Sequence, residues 1–472
     1  MYKGFLVLLV SVCLCTMAGA QDKAGITGKW YGVAKSYYGE KQRLIVVLEK
    51  DGDGYKGEMQ SPDQTNESIS FDNVVYRKDT LLLRIDEIKF TYTGVWDQAT
   101  AQFKGLFTWN GQQSEFDLSK KVVNKEDLFK RPQEPKPPYP YYTEEVKFDN
   151  KKDSVTLAGT FTRPATMGKY PVVVMITGSG PQDRNEEMAS HKTFLVLADY
   201  FARNGIASLR YDDRGVAAST GNYGDAGIYD FADDTRAAVT FLQKRKDVDV
   251  HSIGLLGHSE GAVIAQIVAA NNPTIAFVVS MAGVGLPGRE IVDQKMFMEG
   301  KMAGESDSLI NARIVRLKNY WDALAGDSNL TSAKASATAA LQEVYRTSSE
   351  AVKQHVTEEA FVGDVSFSKE QSSLLRYQPL KYLKQIKCPF MAINGSRDIQ
   401  VNAATNLSAI ERSLRENGNF LITIRKFDGL NHLFQRCQSC TVEEYGELEQ
   451  TIDPLVPEFI MHWILQLPPT AR

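Results

Sequence analysis

Apolar and polar positions alternate along the first part of the chain and then give way to a longer rhythm. From Gly25 to about Val123, short alternating runs such as Arg43-Leu44-Ile45-Val46-Val47-Leu48, Thr80-Leu81-Leu82-Leu83-Arg84-Ile85, Lys89 to Gly94 and Gln102 to Trp109 are separated by Gly-containing turns. Asp51-Gly52-Asp53-Gly54, set before Tyr55-Lys56-Gly57-Glu58-Met59, is the clearest of these turns. The pattern predicts a small antiparallel β-barrel or sandwich over residues 21–125. Small barrels are filled by their own side chains, so a packed interior is expected in place of a ligand cavity. Arg131-Pro132-Gln133-Glu134-Pro135-Lys136-Pro137-Pro138-Tyr139-Pro140 then reads as a stiff, proline-rich linker over residues 126–143. If few contacts cross it, a fragment starting near Tyr141 folds by itself.

Beyond the linker, in residues 144–472, strand-like runs alternate with helical spacing. Val155 to Arg163, Tyr170 to Ile176, Ala207 to Tyr211, Ile253 to Gly257, Ala276 to Met281, Phe390 to Ile393 and Phe420 to Phe427 are the candidate strands. Phe194 to Asn204 and Phe231 to Lys246 are helical between them. This order predicts an α/β domain, a mostly parallel sheet covered by helices. The strand expected after Met281 is delayed by an insertion, residues 286–387, with amphipathic patterns at Ser306 to Ala325 and Ser332 to Val356. A helical cap over the strand ends is the reading, and substrate selection is assigned to it.

Candidate chemistry begins at Ile253-Gly254-Leu255-Leu256-Gly257-His258-Ser259-Glu260-Gly261, a strand running into G-x-S-x-G, followed by the small apolar helix Ala262 to Ala270. Strand, tight turn and helix are the context in which such a serine is held clear of the sheet, so Ser259 is the candidate nucleophile. The base must be an imidazole. Of the chain's histidines, His258 points away on the turn, His355 lies in the cap, His462 in the terminal helix, and His191 and His251 precede other elements. His432 alone follows the last strand, in Asp428-Gly429-Leu430-Asn431-His432, at the edge where parallel strands converge on Ser259. The acid belongs between them in chain order, and Asp398 in Asn394-Gly395-Ser396-Arg397-Asp398 follows a strand there; Asp428 is the rival. An oxyanion hole needs the amide of Glu260 and one from the Gly-rich loop Thr177-Gly178-Ser179-Gly180-Pro181, with Ser179 the first choice and Gly180 the second.

These motifs, together with Arg210-Tyr211-Asp212-Asp213-Arg214-Gly215 and Asn431-His432-Leu433-Phe434-Gln435, resemble α/β-hydrolases of the EstD-type bacterial carboxylesterase group, akin to serine aminopeptidase and prolyl-oligopeptidase-like hydrolases. The resemblance covers the chain beyond the linker and implies an α/β-hydrolase fold, carboxylesterase activity and a Ser259, Asp398, His432 triad. It also implies a small β domain in front, whose opening Gly28-Lys29-Trp30-Tyr31-Gly32 is similar to the first strand of lipocalin-like barrels. Two departures stand out: Thr177 replaces a histidine common in the oxyanion loop, and Ala217 replaces the second glycine of the Asp-x-Arg-Gly-x-Gly pattern. Asp212, Asp213 and Arg214 are expected to brace loops as ion pairs.

Composition narrows the setting. A net charge of −4 from 54 basic and 58 acidic residues gives no bias toward nucleic acid or anionic lipid. Lys3, the apolar run Phe5 to Val10 and Ala18-Gly19-Ala20 form a secretory signal peptide over residues 1–20, which places the mature protein outside the cytoplasm, secreted or periplasmic. A lipoprotein anchor would need a cysteine after a small residue, whereas Cys13 follows Val12 and Cys15 follows Leu14. No later stretch is long and apolar enough for a membrane helix. Cys437-x-x-Cys440 has the spacing of a small disulfide, leaving Cys388 odd, and no second Cys/His pair offers zinc spacing. N-x-S/T triplets stand at Asn66, Asn329, Asn394 and Asn406, and the place of Asn394 beside the site argues against a glycan there.

The expectation is a serine hydrolase cleaving small-molecule carboxylic esters through an acyl-Ser259 intermediate, with neither metal nor organic cofactor implied. A peptidase or amidase with the same triad is the alternative, and it would need a carboxylate pair such as Glu186-Glu187 or Glu358-Glu359 at the site. A ligand-binding protein with an inert hydrolase domain is the reading from another class, and an intact triad opposes it.

Overall fold

A computed structural model describes residues 25–35, 41–62, 67–109, 112–124, 128, 130–363 and 367–468; the signal peptide and Asn66 lie outside them. The chain divides between Leu128 and Phe129 into two units.

In the first unit the period-2 pattern becomes one antiparallel sheet. From one edge to the other it runs Ser68–Ser70, Gly54–Gln60, Lys41–Asp51, Gly28–Lys35, Leu118–Ser119, Gln102–Trp109, Phe90–Asp97, Thr80–Ile85 and Asn73–Arg77, and Gln112–Glu115 also pairs with Gln102–Trp109. Alternation sorts the side chains: Leu81, Leu83 and Ile85 are buried while Leu82 is exposed. The interior is filled by aromatic rings. Trp30 packs edge-on to Phe103 at 5.0 Å and Trp96 at 6.0 Å, and Tyr92 to Phe116 at 5.5 Å. The indole N–H of Trp30 donates to the Ile26 carbonyl at 2.6 Å, which lets that ring be buried without an orphaned polar group.

The second unit is built on an eight-stranded sheet, β1 (Tyr142–Asn150), β2 (Val155–Arg163), β3 (Tyr170–Ile176), β4 (Ala207–Tyr211), β5 (Val248–His258), β6 (Phe277–Met281), β7 (Phe390–Gly395) and β8 (Ile422–Phe427). Their spatial order is β1-β2-β4-β3-β5-β6-β7-β8. The β1-β2 and β2-β4 pairings are antiparallel and all others parallel. This is the α/β-hydrolase arrangement.

Alternate residues of β3 enter separate cores. Val172, Val174 and Ile176 pack with α2 (Ile228–Gln243), α3 (Glu260–Ala269) and α11 (Ala403–Glu416), whereas Val173 and Met175 pack with α1 (Thr193–Arg203) and α12 (Leu455–Gln466). Every residue of α3 is buried, which accounts for its small apolar composition.

Between β6 and β7 lies the expected helical cap: α4 (Gly288–Met302), α5 (Asp307–Gly326), α6 (Leu330–Arg346), α7 (Glu350–His355), α8 (Glu358–Val362), α9 (Lys369–Leu375) and α10 (Leu380–Leu383). The amphipathic run Ser332 to Val356 is two helices, not one. Thr347 and Ser348 turn their hydroxyls back onto the carbonyls of Glu343 and Val344, and a new helix starts after Ser349.

The proline-rich segment differs from the expected spacer. Arg131 donates to the carbonyls of Ser190 (3.0 Å), Leu448 (2.7 Å), Ala189 (3.1 Å) and Gly446 (3.0 Å). Gln133 accepts from the amides of Thr451 and Ile452 and donates to the Ile452 carbonyl. Residues 130–143 therefore dock on the second unit, and β1 already starts at Tyr142. A fragment beginning at residue 129 is expected to melt roughly 5 °C or more above one beginning at residue 141, because truncation strips part-buried carbonyls of their donors. Equal melting temperatures in a calorimetric comparison would show that the segment contributes nothing to the unit.

Candidate active site

At the end of β5 the chain turns abruptly into α3, and Ser259 sits at the turn with φ 54° and ψ −115°. For a residue with a Cβ this left-handed backbone costs on the order of 1–3 kcal/mol and persists only where the surroundings impose it. Here they do. A Cβ on Gly257 would lie 2.1 Å from the Gly261 carbonyl oxygen, and one on Gly261 would lie 2.0 Å from that of Ile176. The two glycines of G-x-S-x-G thus permit strand, helix and β3 to cross at contact distance. The Ser259 amide is tied to the Met281 carbonyl at 2.8 Å, which anchors the turn to β6.

His432 and Asp398 come together from the loops after β8 and β7. The His432 Nδ1 lies 2.7 Å from Asp398 Oδ2, and both residues are buried. Asp398 Oδ1 accepts the amides of Gln400 (2.8 Å) and Val401 (2.9 Å), so the carboxylate is fixed. A carboxylate only accepts, so Nδ1 carries the proton and Nε2 is left as the basic nitrogen. The rival Asp428 is exposed and takes the Ser396 hydroxyl at 2.9 Å. Asn431 shapes the histidine loop, its Oδ1 accepting from the amides of Leu433 and Gln435. Asn394 is buried and spends its amide on the Val401 carbonyl, which leaves no room for a glycan.

His258 proves to be a brace. Its Nε2 is 3.0 Å from the His432 carbonyl oxygen and its Nδ1 2.9 Å from Glu186 Oε1, an oxygen that also accepts the Gly178 amide at 2.9 Å. Burial opposes its protonation, but the Glu186 carboxylate and the two acceptors facing its ring raise its pKa above the ordinary histidine value. One imidazole thereby links the Ser259 turn, the loop after β3 and the loop after β8. No pattern in the sequence marks Glu186 for this part, because its only signal is the fold that brings it to His258.

The loop after β3, the candidate oxyanion loop, lies against Ser259: a Cβ on Gly178 would be 3.5 Å from that of Ser259. The Gly180 amide is already given to Glu370 Oε1 of the cap at 2.9 Å, so this second-choice donor is engaged elsewhere. The Ser179 amide has no protein acceptor among the described residues, and the Glu260 amide heads α3, where first-turn amides lack helical partners. Asp212 and Arg214 brace as expected, with Arg184 and with Asp234 and Asp153 respectively. Asp213 does not form an ion pair among the described residues. It is held by the Thr177 hydroxyl (2.9 Å) and the Gln182 amide (2.9 Å), and burial pushes its pKa up to about 8. Thr177, in place of histidine, thus holds the loop to β4, and Ala217 has φ 46°, a conformation that explains the glycine usual there.

Neither glutamate pair noted in the sequence forms an amine clamp. Glu186 serves His258, Glu187 lies 3.9 Å from Lys192, and Glu358 and Glu359 are exposed on α8. Cys437 and Cys440 are joined as a disulfide, so they are not thiolate ligands although Glu444 lies beside them; Cys388 is free, with burial pushing its thiol up to about 12. Among the described residues no helix is long and apolar enough to cross a membrane.

Residues 153–423 match the family described as X-Pro dipeptidyl-peptidase (S15 family). The chain is 26% identical over 330 residues to Esterase EstD of Thermotoga maritima, covering 69% of this chain and 70% of that protein. Among solved structures, it resembles an esterase of Pyrococcus furiosus at 16% identity and a TM-score of 0.41, covering 73% of this chain and 96% of that one. It also resembles the α/β hydrolase GrgF from a Penicillium species at 19% identity and a TM-score of 0.39, covering 62% of this chain and 91% of that one.

One buried group near the base loop yields a pH prediction. His191 is bonded to the Tyr445 carbonyl and to Thr451, and burial, then the charge of Arg131, lowers its pKa to about 3. The unfolded chain takes up a proton that the folded one refuses. Stability from neutral His191 is therefore complete above about pH 6.5 and falls by up to about 1.4 kcal/mol per pH unit toward pH 3. His191→Gln should flatten the decline of melting temperature below about pH 6. An identical slope in the variant would assign the acid sensitivity to other groups.

Proposed function

The chain belongs to the X-Pro dipeptidyl-peptidase (S15) family of hydrolases, and on that footing we propose that it is a serine esterase acting through an acyl-Ser259 intermediate. The observation that carries this reading is the 2.7 Å His432–Asp398 pair on loops beside the strained Ser259 turn. Ser259 Oγ attacks the ester carbonyl carbon as His432 Nε2 takes its proton, and Asp398 holds the resulting imidazolium. The amides of Glu260 and Ser179 face the oxygen that becomes negative. Collapse of the tetrahedral intermediate breaks the bond to the alcohol, which leaves with the proton from His432. Water, deprotonated by the same nitrogen, then releases the acid and restores Ser259.

The esterase relative, aligned over 70% of its length, favours an ester, and a cavity of about 490 Å³ within the cap, lined by Ile291, Val292, Tyr320, Trp321, Phe367 and Leu374 and by none of the triad residues, suits an apolar acyl group. The family match itself favours a second reading, a peptidase using the same three residues. We further place the protein outside the cytoplasm, secreted or periplasmic, on its leader motif and on the Cys437–Cys440 disulfide.

Ser259→Ala is expected to abolish both fluorophosphonate labelling and ester turnover, and persistence of either in the variant rules the serine out. Matched short-chain esters are expected to exceed aminoacyl and prolyl amides in kcat/KM by at least about a hundredfold, since an amine, unlike an alkoxide, must be protonated at a defined position to leave. Comparable rates on the amides would establish the peptidase reading with the same triad.

A further inference from the structure

Two carboxyl groups meet behind the oxyanion loop, and what they do there rests on the reading of Ser259, Glu260 and Ser179 just given. Glu260, in the first turn of α3, accepts the Ser179 hydroxyl through Oε2 at 3.3 Å. Glu370, in the first turn of cap helix α9, accepts the Gly180 amide through Oε1 at 2.9 Å. The Glu370 carboxyl bears electrostatically on Glu260, and the residues are only 3% and 7% exposed. Two buried carboxyl groups side by side resist ionising together, which favours a proton on Glu260.

The surroundings keep that proton in place. Ser179 faces Glu260 from the loop after β3, and Asp213 from the end of β4; Tyr223, from the segment before α2, approaches both glutamates. Glu186 and Asp234 add negative charge around Asp213. Among the described residues neither Glu260 nor Glu370 has a cationic partner, and the adjacent Lys369 is paired with Asp230 at 2.8 Å. Burial first, then the Glu370 carboxyl, raises the pKa of Glu260 well above the usual carboxyl range. Helix α9 is itself anchored, because Ser373 Oγ accepts the Ile228 amide at 3.0 Å and donates to the Glu370 carbonyl at 2.8 Å.

We propose that Glu370 is a positioning residue for the oxyanion hole, fastening the cap to the loop after β3 through the Gly180 amide. The loop is pinned at both of its central residues, Ser179 by its hydroxyl and Gly180 by its amide, and the Ser179 amide is what remains for the substrate oxygen. Withdrawal of α9 deprives Gly180 of its acceptor, so the hole is complete only with the cap seated. Loss of the Glu260 proton sets two negative charges against each other and has the same consequence.

The test is steady-state kinetics of full-length wild-type, E370A and E370Q protein on a p-nitrophenyl ester of a short-chain acid across pH. E370A is expected to lower kcat by about 10- to 100-fold with KM changed less than about threefold, because the hole acts on the transition state. Glutamine can donate to Glu260 and accept from Gly180 without titrating. E370Q is therefore expected to recover kcat to within about tenfold of wild type and to lose the alkaline fall in kcat that deprotonation of Glu260 beside the Glu370 carboxylate gives the wild type. Wild-type kcat in E370A, or an E370Q as impaired as E370A with an unchanged pH profile, overturns the proposal. If E370A does not fold, E260Q takes its place; it must lose the same alkaline limb, and retention of that limb overturns the proposal equally. Fluorophosphonate labelling separates the two levels of failure. Label that survives Ser259→Ala rejects the nucleophile itself, whereas normal wild-type chemistry with an indifferent E370A rejects only the role of Glu370.

Discussion

The hydrolase unit depends on one close crossing. The end of β5, the start of α3 and the end of β3 meet with so little space that Gly257 and Gly261 cannot bear even a methyl group, and the chain between them passes through the left-handed conformation at Ser259. Both glycines and the small residues of α3 follow from that contact, as does the burial of the whole helix between sheet and cap-side neighbours. The energy stored at Ser259 is held by packing on all sides, and this keeps its hydroxyl presented at a fixed point. The loops after β3, β7 and β8 converge on that point because parallel strands end at the same edge.

Around this crossing the polar groups are buried in pairs and threes. His258 with Glu186, Arg184 with Asp212, Arg214 with Asp234 and Asp153, and Asp213 with Thr177 each join segments far apart in the chain. Such pairs contribute little net stability once desolvation is counted, but a partner left alone in the interior is strongly destabilising. Their effect is to exclude loop arrangements in which any member is unpaired. The site is thus precise because alternatives are costly.

Much of this was legible in the residues. Strands β2, β3 and β4 match the alternating or continuous apolar runs, since their periodicity is undisturbed, and the strand-end positions of Ser259 and of the paired His432 and Asp398 are those that chain order suggests. Strand β1 was missed because Val146 and Phe148 alternate with charged residues directly after a proline-rich stretch that reads as linker. The docking of Arg131 and Gln133 was invisible for a related reason: their acceptors are main-chain carbonyls and amides of residues 446–452 and 189–190, which carry no side-chain signature. The same holds for Glu370, which only the cap's placement brings to Gly180. Local rules recover elements and the motifs at their ends; contacts between backbone groups distant in sequence require the fold.

The place of the cap carries a consequence for how such enzymes diversify. Strands β6 and β7 are adjacent in the sheet, with Val278 opposite Phe390, although the whole cap intervenes between them. Closing a loop becomes less favourable only with the logarithm of its length, about 0.6 kcal/mol per doubling, so growth from about six residues to about a hundred sacrifices on the order of 2.5 kcal/mol. A sheet of this size absorbs that loss. The interval between β6 and β7 is therefore open to insertion, deletion or exchange of helices other than α9, whose Glu370 holds the Gly180 amide, while the strand ends that hold Ser259, Asp398 and His432 are shielded from the change. Descendants of one scaffold can drift in what they admit without drifting in what they do to it.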